Sequence, residues 1–276
     1  MKPIRTLLAF AAMLIATTAG AAFDHTHASW DALLKKHVKV IDGGKASQVR
    51  YADFAKDRPA LKAYLAEVSK VTPAEFAAWP KAERMAFLVN AYNAYTVELI
   101  LTKYPDLKSI RDLGNIVFNS PWKQKFFTLF GEPYWLDRIE HDTLRKPGAY
   151  DEPRVHYAVN CASVGCPSLR EEAFVAARLE AQLEEQAKRF LSDRSRNRFN
   201  PASGKLEVSE IFKWFKEDWA SGYRGLSNGA PVTSREQYFG RYADLLADKP
   251  EHRKLVADGK APIDHTAYDW SLNDAR

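Results

Sequence analysis

The densest run of reactive side chains in the sequence is Arg154-Val155-His156-Tyr157-Ala158-Val159-Asn160-Cys161-Ala162-Ser163-Val164-Gly165-Cys166-Pro167-Ser168. A thiol is a nucleophile only as its thiolate, which needs a nearby base or positive charge near neutral pH; His156 and Cys161 are the nearest such combination along the chain. Five positions apart on a regular strand, the two would face opposite sides, so a dyad requires the chain to leave strand geometry at Asn160. Cys161 and Cys166 are the only cysteines. Two fates stand open for them: a free reactive thiol, or a disulfide closing a short loop that would stabilise the fold by about 2 kcal/mol. A metal site made from His141, His156 and the two cysteines is a third arrangement, against which the four-residue gap between the cysteines stands.

Two further polar groups fall where chemistry needs them. In Phe87-Leu88-Val89-Asn90-Ala91-Tyr92-Asn93-Ala94-Tyr95, Asn90 and Asn93 lie one helical turn apart on an otherwise apolar stretch. If buried, each amide must bond neighbouring backbone, orient a histidine, or donate to a developing oxyanion. In Ile139-Glu140-His141, Glu140 could fix an imidazole or act as an acid or base, and a solvated helix face is the plain alternative. Gly-rich phosphate loops, a His-Glu-x-x-His helix, a calcium loop and a Gly-x-Ser-x-Gly elbow are absent. No cofactor and no metal are therefore expected, and nothing in the pattern names a partner.

The elements that must position these groups read as an α+β fold in one domain. Helical spacing predicts helices over 29–40, 57–70 and 172–191, and one beginning at Thr72-Pro73-Ala74-Glu75, where a cap residue, proline and glutamate coincide. A helix over 81–103, apolar nearly all round, should be the buried central helix. Strands are expected over 125–130, 134–136 and 154–160, with a short helix over 137–144 and a hairpin of 198–200 with 205–208. Ser209 caps a stripe of Ile211, Phe212, Phe215 and Trp219 read as core, and Ser234 with Gln237 forms another capping box. The expected architecture is the buried helix against a small antiparallel sheet, surrounded by further helices.

The first 21 residues have the three parts of an export signal: Lys2 and Arg5, an uncharged run from Thr6 to Thr18, and small residues Ala19-Gly20-Ala21 placed for cleavage after Ala21. The remaining chain, 22–276, is expected outside the cytoplasm, periplasmic or secreted, with no stable membrane span, because the apolar run falls short of the roughly 20 residues a bilayer requires. Removing the leader leaves 38 Lys and Arg against 35 Asp and Glu. Bases and acids are interleaved, so no nucleic-acid partner is expected.

Taken together, Phe87-Leu88-Val89-Asn90-Ala91-Tyr92-Asn93-Ala94, Leu136-Asp137-Arg138-Ile139-Glu140-His141, Arg154-Val155-His156 through Cys166-Pro167, Ile211-Phe212-Lys213-Trp214-Phe215 and Tyr268-Asp269-Trp270-Ser271-Leu272-Asn273 resemble the family named domain of unknown function 547. That family assigns no activity and supplies no catalytic residue. A looser similarity is to papain-like and transglutaminase-like cysteine enzymes, in which a buried helix opens with the nucleophile and a later strand supplies the histidine. Here the helix offers Asn90 and no cysteine, so the nucleophile would have moved to Cys161.

The function expected from these residues is a cysteine-type hydrolase or acyl transferase acting on an amide or peptide-like bond. Cys161 would be the nucleophile and His156 the base, with Asn90 or Glu140 orienting the imidazole or stabilising the oxyanion. The competing expectation is a non-catalytic binding or scaffold domain whose Cys161 and Cys166 are tied together.

Overall fold

The helix Lys81–Leu101 is buried on almost every face from Met85 onward. Its Ala, Leu, Met and Glu content favours helix, and its all-round apolar surface leaves no side for water. The exception near its C-terminal end, Glu98, is paired bidentately with Arg58, Nη2 to Oε1 at 2.7 Å. A computed structural model describes this protein over residues 22–114, 119–224, 226 and 229–275. The leader-like residues 1–21 lie outside that range. Among the described residues no helix is long and apolar enough to cross a membrane.

Helices Arg58–Lys70 and Leu136–Ile139 pack on the central helix. The expected cap forms at Thr72, whose hydroxyl accepts from Glu75 N–H at 3.1 Å and starts Pro73–Ala78. The first helix stops at His37, earlier than its periodicity suggests. Beyond it the β-branched residues alternate and pair as β1 (Val38–Ile41) with β2 (Ala46–Val49), an antiparallel hairpin. A second hairpin joins β3 (Phe127–Leu129) to β4 (Glu132–Tyr134), and Phe127 stacks on Tyr95 of the central helix at 3.7 Å. The third sheet holds β5 (Arg198–Asn200), β6 (Lys205–Ser209) and β7 (Ile263–Thr266). β5 and β6 form the expected hairpin, while β7 joins β6 in parallel, so this sheet is mixed and not purely antiparallel.

The architecture is α+β, and its apolar interior falls into two clusters. One surrounds the central helix. The other gathers Phe190, Phe212, Trp219, Tyr238 and Phe239 behind the helix Leu179–Leu191. That helix begins later than the predicted start at 172, because residues before it turn back to bond the central helix.

One expectation fails at a decisive place. Residues 154–160 are not a strand: Val155–Ala158 is one helical turn, closed by Tyr157 N–H to Arg154 O at 2.9 Å and Val159 N–H to Val155 O at 3.0 Å. Val155 and Ala158 enter the first cluster and Tyr157 the second, so this turn sits on the seam between them.

Candidate thiol and imidazole site

A cavity of about 220 Å³ opens at that seam, lined by Tyr92, Glu140, His141, His156, Cys161, Cys166 and aromatic walls that include Trp122, Trp214, Phe215, Tyr268 and Trp270. The central helix anchors it through Asn93. The Asn93 amide donates to Ala158 O at 2.9 Å and accepts from Asn160 N–H at 2.8 Å, bridging the helical turn of His156 to the start of the cysteine loop. Asn160 then folds the loop on itself, donating to Pro167 O at 2.8 Å and accepting from Ala162 N–H at 2.9 Å.

The last residues of the chain clamp this loop from outside. Val164 N–H donates to Ser271 O and Gly165 N–H to Asp269 O, both at 2.8 Å. A Cβ on Gly165 would lie 2.9 Å from Asp269 N and 3.0 Å from Asp269 O, so only glycine permits the approach. The clamp brings Tyr268 to the thiol: its hydroxyl lies 3.0 Å from Cys161 Sγ and 2.8 Å from Ser163 Oγ.

Cys161 and Cys166 are free thiols with sulfurs 2.9 Å apart, so the disulfide alternative does not describe this state of the chain. The hydrogen bond from the Cys166 thiol lowers the Cys161 thiol; burial opposes it, and contacts with Ser163 and Tyr268 reinforce it, leaving a net downward shift. Burial, and then the bond given to Cys161, push the Cys166 thiol well up. Cys161 is half-buried at the cavity wall and Cys166 is buried beneath it.

On another wall, His156 Nε2 lies 2.8 Å from Asp218 Oδ2. An ionised carboxylate only accepts, so Nε2 carries the proton and Nδ1 is the nitrogen left to exchange one. Glu140 Oε1 stands 3.8 Å from that Nδ1. The ring stacks on Phe215 at 4.2 Å and 15°. Burial pulls Asp218 upward, yet hydrogen bonds from His156 and Arg145 outweigh it and hold its carboxyl at about 2. Arg145 also bonds His141 Nδ1 at 2.8 Å, so the two histidines are linked through the Arg145 guanidinium and the Asp218 carboxylate in series. Glu140 opens a π-helical turn, Glu140–Leu144, closed by Arg145 N–H to Glu140 O at 2.9 Å, a distortion frequent at functional sites. The Tyr92 phenol is pushed well up by burial and then by the Glu140 carboxylate, which keeps it an O–H donor facing the cavity.

Of the four residues expected to do chemistry, His156, Cys161 and Glu140 share this cavity. Asn90 does not line it. Both ends of its amide are taken by Phe174, Nδ2 to O at 2.7 Å and Oδ1 from N–H at 3.0 Å, so it pins a neighbouring segment to the central helix. His156 and Cys161 face one space without a hydrogen bond between them among the described residues; the sulfur's partners are Cys166, Ser163 and Tyr268. Among the described residues, no three His, Cys, Asp or Glu side chains converge as metal ligands.

Asp218, Tyr268 and Ser163 escaped sequence reasoning. A signal for Asp218 exists in hindsight: it lies three residues after Phe215 and beside Trp219, which places a carboxylate next to an apolar stripe. Ile211 and Phe215 of that stripe, read as core, line the cavity.

The fold and cavity define an α+β protein with a donor-ringed thiol facing an Asp-held imidazole. Residues 76–191 match the model of the family described as Protein of unknown function, DUF547. The match spans Asn90, Glu140, His156, Cys161 and Cys166, while Asp218 and Tyr268 come after it. Comparison with curated proteins and with solved structures finds no match.

Proposed function

We propose that the protein is a cysteine-dependent hydrolase or acyl transferase acting on an amide or peptide-like bond. The observation that carries this is the half-buried Cys161 sulfur at the wall of a cavity shared with His156, whose imidazole is oriented by Asp218. In this scheme the Cys161 thiolate attacks the acyl carbon. His156 Nδ1 gives a proton to the leaving amine, then removes one from the water or acceptor that releases the acyl group. Glu140 Oε1, 3.8 Å from Nδ1, stands beside the nitrogen through which these protons pass. The thiolate is supported by the donors around the sulfur and not by a standing bond to His156. Aromatic walls offer apolar surface to the groups flanking the scissile bond.

We also infer that the chain is exported, on the strength of its leader-like first 21 residues. N-terminal sequencing of exported protein should begin at Ala22. Retention of Met1 on the mature chain would remove the inference.

The function is tested with p-nitrophenyl acetate and the fully reduced protein. Wild type gives a burst of nitrophenolate stoichiometric with enzyme, followed by slower turnover, and Cys161→Ser gives none. An equal burst from Cys161→Ser overturns the assignment.

A further inference from the structure

We propose that Cys161 and Cys166 form a redox-active dithiol that undergoes thiol–disulfide exchange with small aliphatic disulfides, closing the pair and removing the cavity's nucleophile. The observation is positional. The sulfurs lie 2.9 Å apart, and a disulfide bond is about 2.05 Å long, so closure needs less than about 1 Å of travel. The loop is already bent to that shape by Cys166 N–H to Ser163 O at 3.1 Å and Asn160 Nδ2 to Pro167 O at 2.8 Å.

The two thiols are unequal in the way sequential exchange requires. Cys161 opens on the cavity, whereas Cys166 is 7% exposed and sits behind it. Ser163 and Tyr268 hydroxyls surround the outer sulfur. The inner sulfur accepts from Cys161 N–H at 3.0 Å, a contact that favours its thiolate as the proton leaves. Cys161 is therefore the attacking thiol and Cys166 the resolving one.

In the first step the Cys161 thiolate attacks one sulfur of R–S–S–R. A mixed disulfide, Cys161–S–S–R, forms, and RS⁻ departs and takes up a proton. Cys166 then loses its proton and attacks Cys161 Sγ, breaking the mixed disulfide and releasing the second RS⁻, which is protonated in turn. Two electrons and two protons pass from the cysteine pair to the small disulfide, giving the closed protein and two R–SH. The exchange itself does not depend on the acyl chemistry proposed above. Only its consequence, loss of acylation in the closed form, rests on that function.

The test uses the full chain, reduced and freed of reductant, with oxidised glutathione as the probe and acid-quenched intact mass with peptide mapping as the readout. Wild type should end lighter by two hydrogens, with no glutathione retained, and revert with dithiothreitol. Cys166→Ser should stop as a glutathione mixed disulfide on Cys161. Cys161→Ser should react at least about tenfold more slowly, because its remaining thiol is buried. Early time points of the wild-type reaction read the same intermediate should Cys166→Ser fail to fold. A wild-type chain that keeps a stable glutathione adduct, or in which neither sulfur reacts, overturns the proposal. The acyl burst measured on the reduced chain fails or succeeds independently, so the two conclusions separate.

Discussion

His156 and Asp218, 62 residues apart in sequence, are joined by a 2.8 Å hydrogen bond from Nε2 to Oδ2 that fixes which imidazole nitrogen can exchange a proton. Asp218→Asn keeps the shape but removes the charge and can offer the ring an N–H in place of an acceptor. Turnover after the p-nitrophenyl acetate burst, which needs His156 to take a proton from water, should fall by about a hundredfold or more with little change in alkylation of Cys161 by iodoacetamide. Equal loss of both reactions would mean that Asp218 acts on the sulfur or on the fold, not through His156.

The same carboxylate carries a pH dependence of stability. Its folded pKa is held at about 2, below the unfolded value of about 3.9, so its contribution is full above the unfolded value and is lost as pH falls towards 2. Glu172, also held at about 2 with Arg178, Gln182 and Arg170 outweighing its burial, titrates in the same window. The difference in thermal midpoint between wild type and Asp218→Asn isolates the first group. Wild type should lose its advantage between roughly pH 4 and pH 2. A difference that is flat across that interval contradicts the assignment.

The two central-helix asparagines should separate by function. Asn90→Leu orphans the Phe174 main chain and should destabilise by about 1–3 kcal/mol while leaving the alkylation rate of folded protein unchanged. Asn93→Leu should cost a similar amount and also change that rate, because Asn93 holds the main chain immediately before Cys161. Denaturant melts paired with iodoacetamide kinetics give both readouts, and an identical pattern for the two variants would remove the distinction.

Much of this scaffold was legible because local pattern and burial agree. The run from Met85 to Leu101 is apolar on all sides and became the buried helix, and the Thr72 cap and the 198–209 hairpin depend on near neighbours alone. The turn Val155–Ala158 was not legible: one turn is too short to show helical period, and Val155, Tyr157 and Val159 alternate as a strand would. They alternate because the turn divides its residues between two clusters. In the site, His156, Cys161 and Glu140 stood out by type, but Asp218 and Tyr268 reach them across 62 and 107 residues. Local sequence holds no record of such pairings.

Gly165 tests the clamp between the cysteine loop and the chain's last residues. Gly165→Ala places a methyl against the Asp269 main chain, which should cost about 1–3 kcal/mol and draw Tyr268 away from the sulfur. The midpoint of iodoacetamide alkylation against pH should move upward, as it should in Tyr268→Phe. Loss of stability with an unmoved midpoint would show that the clamp does not tune the thiol.

The central claim is that an acyl group passes through the Cys161 sulfur and leaves with help from His156. Its most direct measurement is acid quenching during the p-nitrophenyl acetate burst, followed by peptide mapping of wild type and His156→Gln. The expected result is one acetyl group on Cys161 in both, clearing from the variant about a hundredfold more slowly, within the usual range for removing a general base. Acetyl found elsewhere with Cys161 free, or clearance from His156→Gln as fast as from wild type, would contradict it.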